Sequence, residues 1–396
     1  DVQHIRELHN LGYLPLAIKA LPEGTLVPVR VPMMTIENTN PKFFWLTNFL
    51  ETLISQELWQ ACTSATIAHE YKKLLTSYAK QTGGDLGFVP FQAHDFSMRG
   101  MSSLQSSISS GMGHLLSFVG TDTIPAILGH EEFYNSDITK ELVGTSIPAT
   151  EHSIECAYGN DEEYINDIIT NKNPDGMVSV VSDGYDFWNV VGNILPKLKT
   201  KIMNRNGKLV IRPDSGDPVK IVCGDPAASE EIVKKGLIES LWETFGGTVN
   251  AAGFKVLDSH IGAIYGDSIT LKRAGEICEQ LKNKGFCSTN IVFGVGSFTY
   301  QFNTRDTFGF AMKATSVTIN GDEKQIFKAP KTDNGVKKSQ KGRVAVLEEN
   351  GVLVVKDGLT KNDYIANDKL ELIFKDGVLL RQTTLAEIRA RLGNTL

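Results

Sequence analysis

The chain has 396 residues, with 40 Lys+Arg against 46 Asp+Glu and a formal charge of -6. With 41% hydrophobic and 22% charged residues it has the composition of a globular enzyme, and at roughly 100–200 residues per domain it should form two or three units with a sizeable core. The acidic balance argues against general nucleic-acid binding, which needs a basic surface, but leaves room for a local basic pocket around one phosphorylated small molecule.

No apolar run approaches the roughly 20 residues needed to span a bilayer, so no membrane association is expected. The cysteines Cys62, Cys156, Cys223, Cys278 and Cys287 are odd in number and scattered, and no CxxC occurs. That pattern suits a reducing compartment such as the cytoplasm and excludes a disulfide scaffold or a zinc ribbon. The first residues, Asp-Val-Gln-His-Ile-Arg, lack an initiator Met and do not read as a signal peptide, so a trimmed chain or a fragment is expected.

In chain order, the first region to about residue 80 is mixed. Leu21 to Glu37 (LPEGTLVPVRVPMMTIE) sets short apolar runs between Pro and Gly, as at turns between edge strands. Phe44 to Leu75 carries Leu46, Phe49, Leu50, Leu53 and Ile54 at helical spacing.

From about 85 to 310 the rhythm changes. Val178–Val181 runs into Ser182-Asp183-Gly184, Leu209–Ile211 into Arg212-Pro213-Asp214-Ser215-Gly216, Ile264-Tyr265 into Gly266-Asp267-Ser268, and Ile291–Phe293 into Gly294-Val295-Gly296-Ser297. Asp225-Pro226 reads as the N-cap and first residue of a helix bearing Ile232, Val233, Leu237 and Leu241 on one face. Leu271, Ala274, Ile277, Cys278 and Leu281 form a second stripe, stopped by Gly285. Near-continuous apolar strands alternating with helices predict a parallel sheet. Right-handed crossovers then bring every strand's C-terminal end to one rim, where α/β barrels and open α/β sheets collect their chemistry.

From about 312 the pattern becomes β-rich, with hairpin turns at Asn350-Gly351 and Asp376-Gly377 and a capping box at Thr384 and Glu387. The expected layout is thus residues 1–80 and 312–396 in a flanking mixed domain, and 81–311 in an α/β barrel-like domain.

Six segments can carry chemistry. Arg212 to Pro218 is a rigid loop in which Pro213 and Pro218 forbid helix and Gly216 permits a bend. Its Arg212 can grip phosphate or lie on an aromatic ring, and Asp214 can hold a ribose hydroxyl or a hydrated metal ion; the plainer reading is a surface ion pair. Gly266-Asp267 and Gly294–Ser297 resemble phosphate cradles or simple strand-to-helix turns. There is no Walker A motif and no GxGxxG, so a dinucleotide fold is not expected.

His94–Gly100 (HDFSMRG) gathers Phe96, which can stack on a planar ligand, with Arg99. Of the eight histidines, His152 sits in polar surroundings as a candidate nucleophile or proton carrier that Asp183 can orient if the fold brings them together, and no HExxH supports zinc. The basic run Lys337–Arg343 (KKSQKGR) reads first as a solvated loop and second as a phosphate clamp.

HDFSMRG, FVGTDT, LVGTSIPATEH, SVVSDGYD, LVIRPDSGDP, IYGDS and FGVGS stand in this order along the chain, after ALPEGTLVPVRVPMMTIENTNPKFFWLTNFLET and before KKSQKGR. Together they resemble the nicotinamide phosphoribosyltransferases over nearly the whole length. The resemblance implies a type II phosphoribosyltransferase fold, an incomplete TIM-like α/β barrel beside a β-rich mixed α+β domain. It implies the reaction of nicotinamide with phosphoribosyl pyrophosphate to nicotinamide mononucleotide and pyrophosphate, in NAD salvage. It also implies a homodimer with shared active sites, Mg²⁺ bound with the pyrophosphate near Asp214, and ATP as an optional coupling substrate.

Residue by residue, it implies that Phe96 and Arg212 sandwich the nicotinamide ring and that Asp122 accepts from the carboxamide. It assigns pyrophosphate or phosphate contacts to Arg99, His152 and Arg212, and makes Asp214 the ribose and metal-side carboxylate. Gly266, Asp267, Gly296 and Ser297 cradle ribose and 5′-phosphate, and Arg305 reaches in from the neighbouring subunit with Lys313 nearby. His152 also matches the histidine that ATP phosphorylates. Val295 stands where the family often has a small polar residue. The family carries a further N-terminal segment, with a Tyr at the partner's nicotinamide site, ahead of the match to Asp1. The alternatives are a nicotinate phosphoribosyltransferase and a catalytically silent binding homologue.

Overall fold

Valine-rich runs without charge become strands buried on both faces. Val178–Val181 is wholly buried, and so are Leu209, Val210 and Ile211 of Leu209–Arg212. Each such aliphatic side chain contributes about 1.5–3 kcal/mol over its exposed state. The computed structural model describes residues 2–332 and 338–393; Lys337 lies outside the described residues.

The chain forms two compact units, residues 61–303 and residues 1–60 with 304–395. The helix Leu46–Gln81, longer than its sequence pattern predicted, contributes its first part to one and its remainder to the other.

In unit 61–303, six strands form one parallel sheet. Its order is Gly120–Thr121, Ala93–Asp95, Ile291–Val295, Ile261–Tyr265, Leu209–Arg212, Val178–Val181. The ladder opens between the two outer strands, giving an incomplete barrel. Across the opening run single parallel bridges, Gly120 to Thr145 and Ala149 to Ser179. The extended segment Thr145–Thr150 therefore lies beside both edges. All strands point the same way, so Phe96, Asp122, Asp183, Arg212, Gly266 and Gly296 emerge at one rim. The helix Leu271–Asn283 covers the sheet with Ala274, Ile277, Cys278 and Leu281, the predicted stripe.

The helix expected from Asp225 is different. Asp225 makes a turn, its carboxylate accepting from the Ala227 N–H and pairing with Lys220. The helical residues are Glu231–Lys235 and Leu237–Phe245, broken at Gly236. The cause is backbone contact: a Cβ on Gly236 would lie 2.2 Å from the Gly224 nitrogen, and both glycines have positive φ. Only glycine fits such an approach.

The other unit joins both ends of the chain. Leu16–Ala20 lies between Met34–Asn38 and Glu371–Lys375, with Ala17 opposite Glu37 on one side and Lys375 on the other. The Pro- and Gly-punctuated stretch from Leu21 forms no strand before Met34. Asn350-Gly351 and Asp376-Gly377 turn hairpins with positive φ at both residues, and Thr384 with Glu387 closes the capping box. Leu16, Phe43 and Leu46 form one core cluster of this unit.

Candidate active site

The rim residues are organised around charge. His94 and Phe96 leave the strand Ala93–Asp95 two residues apart, on the same side, with ring centroids 4.9 Å apart. His94 Nε2–H donates to Asp122 Oδ1 at 2.8 Å, and Ser146 Oγ–H donates to the same oxygen at 2.6 Å. Among the described residues Asp122 Oδ2 has no protein donor. Burial alone would raise the Asp122 pKa, but His94, Ser146 and the Arg212 charge outweigh it and hold Asp122 below the ordinary carboxylate value.

Arg212 ends its strand half-buried. Its Nη2 donates to the Thr150 carbonyl at 2.6 Å, and its Nε stands 3.7 Å from Asp214 Oδ2, too long for a hydrogen bond. That buried Nε–H has no hydrogen-bond partner among the described residues. Such a donor is costly unless a bound ligand completes it.

Asp214 closes the circle. A Cβ on Gly266 would lie 2.8 Å from Asp214 Oδ1 and 3.1 Å from the Phe96 ring. One on Gly294 would lie 2.4 Å from the same ring. Both glycines exist to let Phe96 lie on the strand ends. Burial raises the Asp214 pKa, helped by Asp183 and Asp267 and opposed by Arg212 and His152.

The predicted pairing of His152 and Asp183 is present: His152 Nε2–H donates to Asp183 Oδ1 at 3.0 Å, while Asp183 Oδ2 accepts the Asp214 N–H at 3.0 Å. Asp183 is nearly buried, whereas His152 is half exposed.

Gly100 presses on Ser297, which brings the exposed Arg99 beside the Gly294–Ser297 turn. A Cβ on Gly296 would meet only open space, and Asp267 accepts from Ser268. Arg305 and Lys313 belong to the other unit, where Arg305 pairs with Asp306 and Lys313 with Glu51.

Sequence reasoning missed His94 as the anchor of Asp122, although its period-two spacing from Phe96 was visible. It also missed Ser146 and Thr150, which lie in the segment spanning the barrel's opening, and Glu155, whose carboxyl packs against Gly184.

Among the described residues no three His, Cys, Asp or Glu side chains converge on a metal cage. Asp214 is nevertheless the right kind of donor for Mg²⁺. That ion is commonly held by one or two carboxylates with substrate phosphates and water supplying the rest.

The site is thus a parallel sheet curled into an incomplete barrel, with glycine turns, carboxylates and a guanidinium on its C-terminal rim. A solved structure of nicotinate-nucleotide pyrophosphorylase from Pyrococcus furiosus shares the fold, with TM-score 0.56 and 17% identity, covering 98% of this chain and 82% of that one. Residues 91–378 match the nicotinate phosphoribosyltransferase (NAPRTase) family, and the chain belongs to it.

Relatives extend the match to the whole length. The nicotinamide phosphoribosyltransferase of Acinetobacter baylyi is 49% identical over 405 residues, covering 100% of this chain and 79% of that protein. That of Mycoplasma pneumoniae is 41% identical, covering 84% and 72%. That of Xanthomonas campestris pv. campestris is 35% identical, covering 96% and 79%.

Proposed function

We propose that the chain is an enzyme of NAD salvage that transfers phosphoribosyl from phosphoribosyl pyrophosphate to nicotinamide, releasing pyrophosphate. The observation that carries this reading is the gathering at one rim of Phe96 beside His94, 4.9 Å between ring centroids, His94 bonded to Asp122 at 2.8 Å, and Arg212 facing Asp214 at 3.7 Å. It offers an aromatic face, a guanidinium and a carboxylate around one space. A pyridine ring stacks on Phe96 with Arg212 opposite, and the carboxamide NH₂ donates to Asp122 Oδ2. The same carboxylate repels the carboxylate of nicotinate.

The pyridine nitrogen attacks ribose C1 as pyrophosphate leaves, through an oxocarbenium-like transition state. Nicotinamide is already nucleophilic, so the protein needs no strong base. Its work is to orient the ring against C1 and to stabilise the departing charge with Arg99, Arg212 and His152. Asp214 holds the ribose hydroxyls, and the turns at Gly266-Asp267 and Gly296-Ser297 receive the 5′-phosphate. Asp214 would also hold Mg²⁺, which when bound with the pyrophosphate neutralises charge on the leaving group.

In this reading His152 is also the residue that ATP phosphorylates, read out as acid-labile label from γ-labelled ATP. Its partners are a second copy of the chain, with Arg305 and Lys313 serving the neighbouring active site, and its setting is cytoplasmic. Among the described residues all five cysteines are free thiols and no helix is long and apolar enough to cross a membrane.

Pyrophosphate release measured with nicotinamide and nicotinate side by side tests the reaction. Arg212→Ala should lower mononucleotide formation by about 100-fold or more, as for loss of one preorganised charge-stabilising donor. Near-normal turnover would remove Arg212 from this role.

A further inference from the structure

The helix His152–Tyr158 inverts the usual polarity of a surface helix. Glu155 is its one buried residue, while Ile154 is 44% exposed. A carboxyl taken out of water is costly unless it is paired or neutral. Neither Glu155 oxygen completes a hydrogen bond with ordinary geometry among the described residues. Its carboxyl is pressed on Gly184: a Cβ there would lie 2.4 Å from Oε2 and 2.6 Å from Cδ. Gly184 follows Asp183, whose two oxygens hold His152 and the Asp214 N–H.

We propose that Glu155 is a positioning residue of this site, its buried carboxyl packing the Ser182–Gly184 turn in the uncharged form so that Asp183 stays on His152. This rests on the functional reading above, in which His152 faces the pyrophosphate.

The surroundings supply the reason. From its own helix Glu155 meets His152, and from the next helix Asp161 and Tyr164. From the turn after the strand it meets Asp183, the Gly184 N–H and Tyr185. Burial pushes its pKa up to about 7, Asp161 and Asp183 push the same way, and the Gly184 N–H and His152 oppose them. Below neutrality the acid is neutral, and Asp183 is the nearer negative charge behind His152. As pH rises through about 7 a second charge appears in the same low-dielectric spot. That charge repels the turn from within and repels pyrophosphate from behind His152.

The test is the KM for phosphoribosyl pyrophosphate at pH 6 and pH 8.5 in wild type and Glu155→Gln, which keeps the shape but cannot ionise. Wild-type KM should rise roughly three- to tenfold more than that of the variant over this span. Parallel profiles would overturn the proposal.

Wild-type protein labelled with ¹³C at glutamate Cδ gives a reading that needs no variant. One resonance should titrate near neutrality, and its absence would equally overturn the proposal. A wild-type chain that turns over no phosphoribosyl pyrophosphate defeats the functional reading instead, and the glutamate resonance then judges the buried acid separately.

Discussion

Two donors converge on one oxygen of Asp122 and leave the other open. That arrangement predicts amide-over-acid selectivity from a single side chain. In Asp122→Asn the charge is gone while His94 and Ser146 still have an oxygen to meet. The ratio of nicotinate to nicotinamide turnover should rise by about tenfold or more, as expected when a repulsive element is removed. An unchanged ratio would place selectivity elsewhere. The acceptor itself was legible in FVGTDT through family resemblance, and so was the sandwich of Phe96 and Arg212. Its support was not. His94, Ser146 and Thr150 act through contacts between segments far apart in sequence, and no local spacing announces such pairings. Glu155 was illegible for another reason: a glutamate in a short polar helix reads as solvated, and only the fold shows it turned inward.

At the scale of elements, the site depends on strand ends that approach one another without side chains between them. Gly294 belongs to the strand Ile291–Val295 and tolerates the Phe96 ring only because it has no Cβ. In Gly294→Ala the new Cβ would press on the Phe96 ring and, at 2.7 Å, on the Gly266 Cα, so the ring and the strand end beside it must shift together. Steady-state kinetics should show the KM for nicotinamide raised about tenfold or more, since displacements on the order of 1 Å carry penalties of this size. A KM within error of wild type would show that Phe96 does not bear on the ring. The parallel strands themselves were visible in sequence as apolar runs ending in small or acidic residues, because buried strands need no alternation. The segment Glu231–Phe245 misled because helical periodicity continues across Gly236, whereas the break is imposed by the Gly224 backbone lying against it.

For the whole molecule, family membership and the geometry of one rim converge on the same chemistry. With Arg305 and Lys313 proposed to serve a neighbouring copy, light scattering after gel filtration should give about twice the 43.5 kDa chain mass. A monomer that retains full activity would exclude that arrangement. The strand Leu16–Ala20 takes Glu371–Lys375 as a neighbour, so the sheet that holds it joins segments translated far apart in time. At roughly 5–20 residues per second, some tens of seconds separate the emergence of these two partners from the ribosome. The barrel's strands, all encoded between them, have that interval to find one another first. The early strand meanwhile waits with one edge open, a stretch of the nascent chain that a chaperone would usefully cover.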